Sequence, residues 1–467
     1  MWQTFFSTSV SALEQKNSFW GWLWSLLSSP IAVGIYVILV LGGIISLIAI
    51  LLAEERNRPD PELLREYIDR INEIKRKSLQ DSYVMPVRLN GDNGEPPAPQ
   101  KSGNTASAPE RATRFCMLSE TDERMKKAAD SVYSDNVSLK EICESFRSFC
   151  ASRMKLYYDI ADIRRFIASL TVTKLIIMQG MSGTGKTSLA YAFGEFIRNQ
   201  SVIVPIQPMW KERSDLIGYF NEFTGRFNET TLLHKMYEAN YKRDIYVTVL
   251  DEMNIARVEY YFAEFLSLLE IPDPDKRYLD VVSDRWDNDP ILLVDGKIRL
   301  PENMWFMGTV NNDDSTFSIS DKVYDRAMVI DLDRKFTPFK AQDQEPIHFS
   351  ADHLSRLAED ACSKYSISDR NMRRIRKLDL YLIDKFRITF GNRIMKQLRG
   401  FVPVFIACGG SELDAIDDLL SKKLFRKLDS QNPVYVKSLA DDTCDFLDSL
   451  FGKDSLPLCK RVIRKPR

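Results

Sequence analysis

Residues Gly180 to Thr187 read Gly-Met-Ser-Gly-Thr-Gly-Lys-Thr, a G-x-x-x-x-G-K-T run, and its flanks constrain the architecture more than any other stretch. Lys174 to Gln179 (KLIIMQ) is a short apolar run of β character, and SLAYAFGEFIRN after Thr187 is patterned as a helix. Strand, glycine-rich turn and helix in that order describe a phosphate-binding loop. Gly180, Gly183 and Gly185 let backbone N–H groups wrap phosphates, and the helix N-terminus adds a favourable dipole. Lys186 can reach the β and γ phosphates, and the Thr187 hydroxyl can ligate Mg²⁺. With Ser188 beside them, these are the expected nucleotide-binding residues, and the expected cofactors are ATP or GTP with Mg²⁺.

A second apolar run, Ile245 to Leu250 (IYVTVL), ends in Asp251-Glu252. About 65 residues after a phosphate loop, such a pair suits Asp251 to hold the metal and Glu252 to polarise the attacking water. A third run, Met304 to Val310 (MWFMGTV), delivers Asn311 and Asn312, amides suited to orienting water against a γ-phosphate. Three strands with polar tips at one edge predict a parallel α/β sheet with its ligand at the carboxyl ends.

Further back in the chain, Ile31 to Leu52 carries no charge for about 22 residues, enough to cross a bilayer core. Trp20, Trp22 and Trp24 suit the interface. Lys16 is the sole basic residue before the run, whereas Arg56, Arg58, Arg65, Arg70, Lys75, Arg76 and Lys77 follow it. That asymmetry predicts a single-span anchor after a short segment 1–30, with the body in the cytoplasm beneath the cell membrane. Residues 53–84 contain a juxtamembrane helix, either self-associating or a solvated stalk, and 85–115 are rich in Pro, Gly, Asn and Ser, a flexible linker. Helical patterning returns over 116–170. The seven cysteines are scattered and never spaced C-x-x-C, fitting reduced thiols, and none of the three histidines forms H-E-x-x-H, which argues against a zinc protease. A formal net charge of −1 argues against coating nucleic acid through bulk charge.

The stretches GMSGTGKTSLA, QPMWKERSDLIGYFNEFTGRF, VLDEMNIARVEYYFAEFLSLLE, GTVNNDDSTFSISDKVYDRA and LDAIDDLLSKKLFRKL together resemble the McrB-like branch of the AAA+ superfamily, over roughly residues 165 to 455. Residues 1–115 do not resemble the DNA-reading domain of the founding member. The resemblance implies a P-loop AAA+ parallel sheet over 171–340 and a helical lid with a basic tail over 341–467. It implies that Asn311 is a sensor, that Asn311 to Asp314 forms an N-x-x-D element, and that Arg326 is an arginine finger acting on a neighbour's nucleotide. Arg393, in Gly391-Asn-Arg393, resembles the second sensor arginine and would bind the cofactor. The Trp210–Phe227 stretch faces a central pore or a partner, or packs on the sheet; Val294-Asp-Gly-Lys297 signals a two-residue hairpin turn.

The implied protein is a membrane-anchored ring, expected to be a hexamer, that hydrolyses ATP ahead of GTP and acts on nucleic acid or through a McrC-like nuclease in prokaryotic defence. A MoxR-like remodelling chaperone and a nucleotide-gated scaffold are the competing expectations.

Overall fold

The apolar runs become strands that are buried along almost their whole length, as parallel strands covered on both faces must be. The computed structural model describes residues 113–129, 131–311, 316–333 and 337–465, which fall within one compact unit. The expected span 31–52, its flanks, most of the linker and Asp314 lie outside the described residues. Among the described residues no helix is long and apolar enough to cross a membrane.

The central sheet is built from β1 (Leu175–Gly180), β2 (Val202–Pro205), β5 (Tyr246–Asp251), β8 (Met304–Asn311) and β9 (Met328–Asp331). All neighbours are parallel, in the order β2-β5-β8-β1-β9. Two hairpins are inserted between these strands. The first pairs β3 (Gly218–Asn221) with β4 (Arg226–Glu229), and the second pairs β6 (Tyr278–Asp280) with β7 (Lys297–Arg299). The expected two-residue turn is present: Val294 bridges Lys297, and Asp295 and Gly296 both have positive φ, the geometry an Asp-Gly pair adopts most readily. The strand partner of its far side, 278–280, had no comparable sequence signal.

Alternation along each strand sends its side chains to two separate cores. Ile176, Met178, Val247, Val249, Trp305 and Met307 face the layer of α2 (Leu139–Arg153), α3 (Ile160–Val172) and α4 (Lys186–Phe196). Leu175, Ile177, Tyr246, Leu250 and Phe306 face the other way, towards α1 (Cys116–Lys127) and α6 (Thr231–Ala239). Short helices α5 (Ser214–Ile217), α7 (Val258–Tyr261), α8 (Ala263–Leu268) and α9 (Asp321–Tyr324) turn the chain between strands.

Residues 351–463 carry no strand and are built from six α-helices and their connections: α10 (Ala351–Lys364), α11 (Asp369–Phe386), α12 (Asn392–Ala407), α13 (Glu412–Lys423), α14 (Pro433–Phe451) and α15 (Pro457–Ile463). Their apolar faces join the same core as α2 and α3. The helical lead-in is therefore part of this packing rather than a spacer before it. Phe146 of α2 is fully buried, with its ring 5.9 Å from that of Phe166 on α3 and 5.4 and 5.2 Å from those of Phe193 and Phe196. Phe146→Ala should lower unfolding stability by about 3–5 kcal/mol. A denaturation midpoint that does not move would show that the lead-in folds apart from the sheet.

Candidate nucleotide-binding site

The site is set by strand register. Gly180, the last residue of β1, lies opposite Asn311, the last residue of β8, and Leu250 of β5 lies opposite Gly308. Parallel strands ending together bring Gly180, Asp251 and Asn311 to one carboxyl edge, the edge at which open α/β sheets bind ligands.

The phosphate loop rises from that edge. A side chain on Gly180 (φ +147°) would place its Cβ 2.5 Å from the Leu332 carbonyl oxygen and 3.1 Å from Asp333 Oδ1, so only glycine fits where the end of β9 closes on the loop. Burial, with Asp331 alongside, pushes the Asp333 carboxyl above the usual range. At Gly183 the same construction meets nothing within 4 Å, leaving room at the crest for a phosphate group. Gly185 ends the loop, and α4 begins with no side chain capping its first N–H groups, the usual condition for an anion at a helix N-terminus.

Lys186 is buried at the start of α4, its Nζ donating to the carbonyls of Gly180 (3.0 Å) and Met181 (2.7 Å). Ser188 follows in the first turn of the same helix. Beneath the loop, the buried Tyr158 donates its hydroxyl to the Gly185 carbonyl at 2.9 Å. Tyr158 carried no sequence signal.

The acidic edge is tied together by hydroxyls. Thr187 Oγ1 donates to Asp251 Oδ1 at 2.7 Å. Thr309 Oγ1, from the neighbouring strand, donates to the same oxygen at 2.8 Å and accepts the Glu252 N–H at 2.8 Å. Thr187 and Asp251 thus present adjacent oxygens beside the phosphate loop. Among the described residues no cluster of three His, Cys, Asp or Glu could hold a metal by itself. That donor set fits Mg²⁺, which keeps waters and takes one or two protein oxygens plus substrate phosphates.

Glu252 is exposed and holds φ at +52°, a left-handed conformation unfavourable for a residue with a Cβ. The bonds of its own N–H to Thr309 Oγ1 and of the Met253 N–H to the Thr309 carbonyl (2.9 Å) keep it there. Asn254, almost fully buried, donates to the Asn311 carbonyl at 3.0 Å and to Thr316 Oγ1 at 2.9 Å, fixing the end of β8.

Arg326 and Arg393 lie elsewhere. Arg326 sits in the turn before β9, and Met328 pairs with Ile176, so the turn is at the amino edge of the sheet. Four strand residues, roughly 13 Å, separate that level from Gly180. Arg393, in the first turn of α12, joins it there: both guanidiniums bond Glu270. Arg393, expected from the resemblance to bind the cofactor, is bonded here to Glu270 beside Arg326. No family model matches the sequence, and no curated protein matches it.

The Arg326 turn is held from the helical region. Lys423 of α13 donates to the carbonyls of Tyr324 and Ala327, on either side of Arg326, and burial lowers its pKa to about 7. A neutral amine has two hydrogens for those two acceptors. The Trp210–Phe227 stretch is mixed: Trp210 meets Tyr261 edge-on, Phe220 meets Trp286, and Phe223 at the tip of the β3–β4 hairpin is fully exposed.

Two measurements check this geometry. Glu252→Gly should raise stability by on the order of 1 kcal/mol, by releasing the left-handed strain, whereas Glu252→Gln should not. Equal unfolding midpoints for the two variants would show that the backbone there is unstrained. Lys423 carries its ordinary pKa of 10.5 when unfolded and about 7 when folded, so between those values the unfolded chain binds the extra proton. Stability should therefore rise with pH above 7, by up to about 1.4 kcal/mol per pH unit. Urea unfolding at pH 7, 8 and 9 should show wild type gaining on Lys423→Met; parallel curves would show that the buried amine does not titrate there.

Proposed function

We propose that this chain is a nucleoside triphosphate hydrolase of the McrB-like AAA+ type, with ATP preferred over GTP, anchored in the cell membrane by residues 31–52. The observation that carries the reading is the joining of Thr187, Asp251, Thr309 and Glu252 beside the phosphate loop by three hydrogen bonds of 2.7 to 2.8 Å. In this reading residues 351–463 are the lid, and the cytoplasmic body works on a nucleic acid or a McrC-like nuclease in defence.

Binding begins with the loop. Lys186 exchanges the carbonyls of Gly180 and Met181 for the β and γ phosphate oxygens, which are stronger partners for an ammonium. Thr187 and Asp251 would hold Mg²⁺, which supplies positive charge beside the phosphates. Glu252, at the exposed end of β5, takes the attacking water's proton or polarises its O–H bond, and Asn311 on the next strand tip orients that water. The left-handed backbone at Glu252 is held by Thr309 beside Asp251.

The neutralising arginine has to come from another copy, because Arg326 of the same chain is at the opposite edge of the sheet. That requirement supports a ring, a hexamer in the McrB-like reading, in which each subunit's amino edge meets its neighbour's phosphate loop. The exposed Phe223 and Tyr219 on the β3–β4 hairpin supply apolar contacts for the moved polymer or partner.

Phosphate release by the full-length chain, with ATP and GTP in parallel, tests the proposal. The rate per chain should rise with protein concentration, Glu252→Gln should abolish it, and Arg326→Ala should reduce it by about 10³-fold or more. Turnover that survives Glu252→Gln would remove the proposed water-activating role and with it this mechanism.

A further inference from the structure

Glu270 follows α8 at the amino edge of the sheet, and the two arginines singled out for the nucleotide meet on it. Its Oε2 accepts from Arg326 Nη2 at 3.0 Å, and its Oε1 accepts from Arg393 Nη2. The three side chains are 32%, 26% and 42% exposed respectively, neither sealed in the core nor free in solvent. They stand on the wall of a cavity of about 860 Å³ that runs along the starts of β1 and β8, past Lys174, Glu302 and Trp305.

What surrounds the pair is rigid. Besides the grip of Lys423, the Asp325 carbonyl accepts from Gln397 Nε2 at 3.2 Å, and Lys427 pairs with Asp325 at 3.3 Å. Arg326 Nη1 donates to the Lys322 carbonyl at 2.8 Å. Gln397 lies four residues after Arg393 on α12, so the two share a helix face, and the bond that fastens α12 to the turn also sets Arg393 beside Arg326. Gln397 is 5% exposed, and its Oε1 has no hydrogen-bond partner among the described residues. The backbone under both arginines is thus fixed, and the separation of their guanidiniums is decided by the carboxylate between them. Without it, two like charges would stand side by side and splay apart.

A carboxylate offers two oxygens to two guanidiniums much as a terminal phosphate does, and phosphate is the stronger partner for a pair of arginines. This chain's own phosphate loop is at the far edge of the sheet. We propose that Glu270 is a positioning residue for the hydrolytic site of a neighbouring copy: it holds Arg326 and Arg393 side by side on one carboxylate, so that both are presented together to the triphosphate bound by that copy. The proposal rests on the hydrolase reading above.

The experiment uses the full-length chain with ATP and GTP, and the variants Glu270→Ala, Glu270→Asp and Glu252→Gln. Glu270→Ala should lower kcat about tenfold with KM nearly unchanged, because each phosphate loop keeps its own binding groups. Glu270→Asp, which keeps the charge, should restore kcat to within about threefold of wild type. The deciding measurement mixes Glu270→Ala chains with Glu252→Gln chains before assembly. A Glu270→Ala subunit retains a working loop and Glu252, and a Glu252→Gln neighbour offers it a correctly held arginine pair. The mixture should therefore exceed the mean of the two separate rates several-fold.

A mixture equal to that mean would place the defect in the subunit's own site and overturn the proposal. So would Glu270→Ala turnover equal to wild type, or a raised KM at unchanged kcat. A wild-type chain that releases no phosphate from either nucleotide would instead remove the hydrolase reading itself, and this proposal with it.

Discussion

The Thr309 hydroxyl is the smallest group on which the site depends. It donates to Asp251 and accepts from the Glu252 backbone, so one oxygen holds both the Asp251 carboxylate and the left-handed turn at Glu252. It can do this because β8 lies between β5 and β1. Gly308 is part of the same arrangement. A Cβ there would lie 1.8 Å from Met253 Sδ, so the bare backbone of β8 lets Met253 fill the space under the turn. The strand order, the threonine and the glycine together hold two consecutive carboxylate residues in different backbone conformations at one sheet edge.

A parallel sheet has two unlike edges, and that polarity divides the functional groups. Loop residues and acids follow the strands and gather at the carboxyl edge, while Arg326 precedes β9 and Arg393 is fastened beside it at the amino edge. Strand length sets the separation. A chain with its phosphate-binding groups at one end and its candidate phosphate-neutralising arginines at the other is suited to head-to-tail association, in which each interface joins one edge of each kind. Heterologous contacts of that sort close into rings when the rotation permits.

Much of this was readable in the sequence. The three central strands were expected at 174–179, 245–250 and 304–310, and lie at 175–180, 246–251 and 304–311. Continuous apolar runs between polar or glycine-rich ends are distinctive for strands covered on both faces. The loop, Thr187, Asp251, Glu252 and Asn311 were legible for the same reason: local spacing carries them. What was not legible is held by long-range contacts. Tyr158 reaches Gly185 across 27 residues, Lys423 reaches Ala327 across 96, and Arg393 reaches Glu270 across 123. Glu270 looks like any acid at the end of a helix until the helical region folds against it. Arg393 was expected from the resemblance to bind the cofactor, and its bond to Glu270 across the fold sets it beside Arg326. Asp314 and the apolar run 31–52 fall outside the described residues.

The helical region has a mechanical role that follows from where it grips. Its apolar faces share a core with α2 and α3, and α3 is preceded by Tyr158, which supports the phosphate loop from below. Its polar contacts, from Lys423, Gln397 and Lys427, end on the turn that carries Arg326. One packed layer thus touches both edges of the sheet, the loop side through Tyr158 and the arginine side through Lys423. Close-packed interiors transmit displacement instead of absorbing it. A shift of the helical layer would therefore move the turn that carries Arg326.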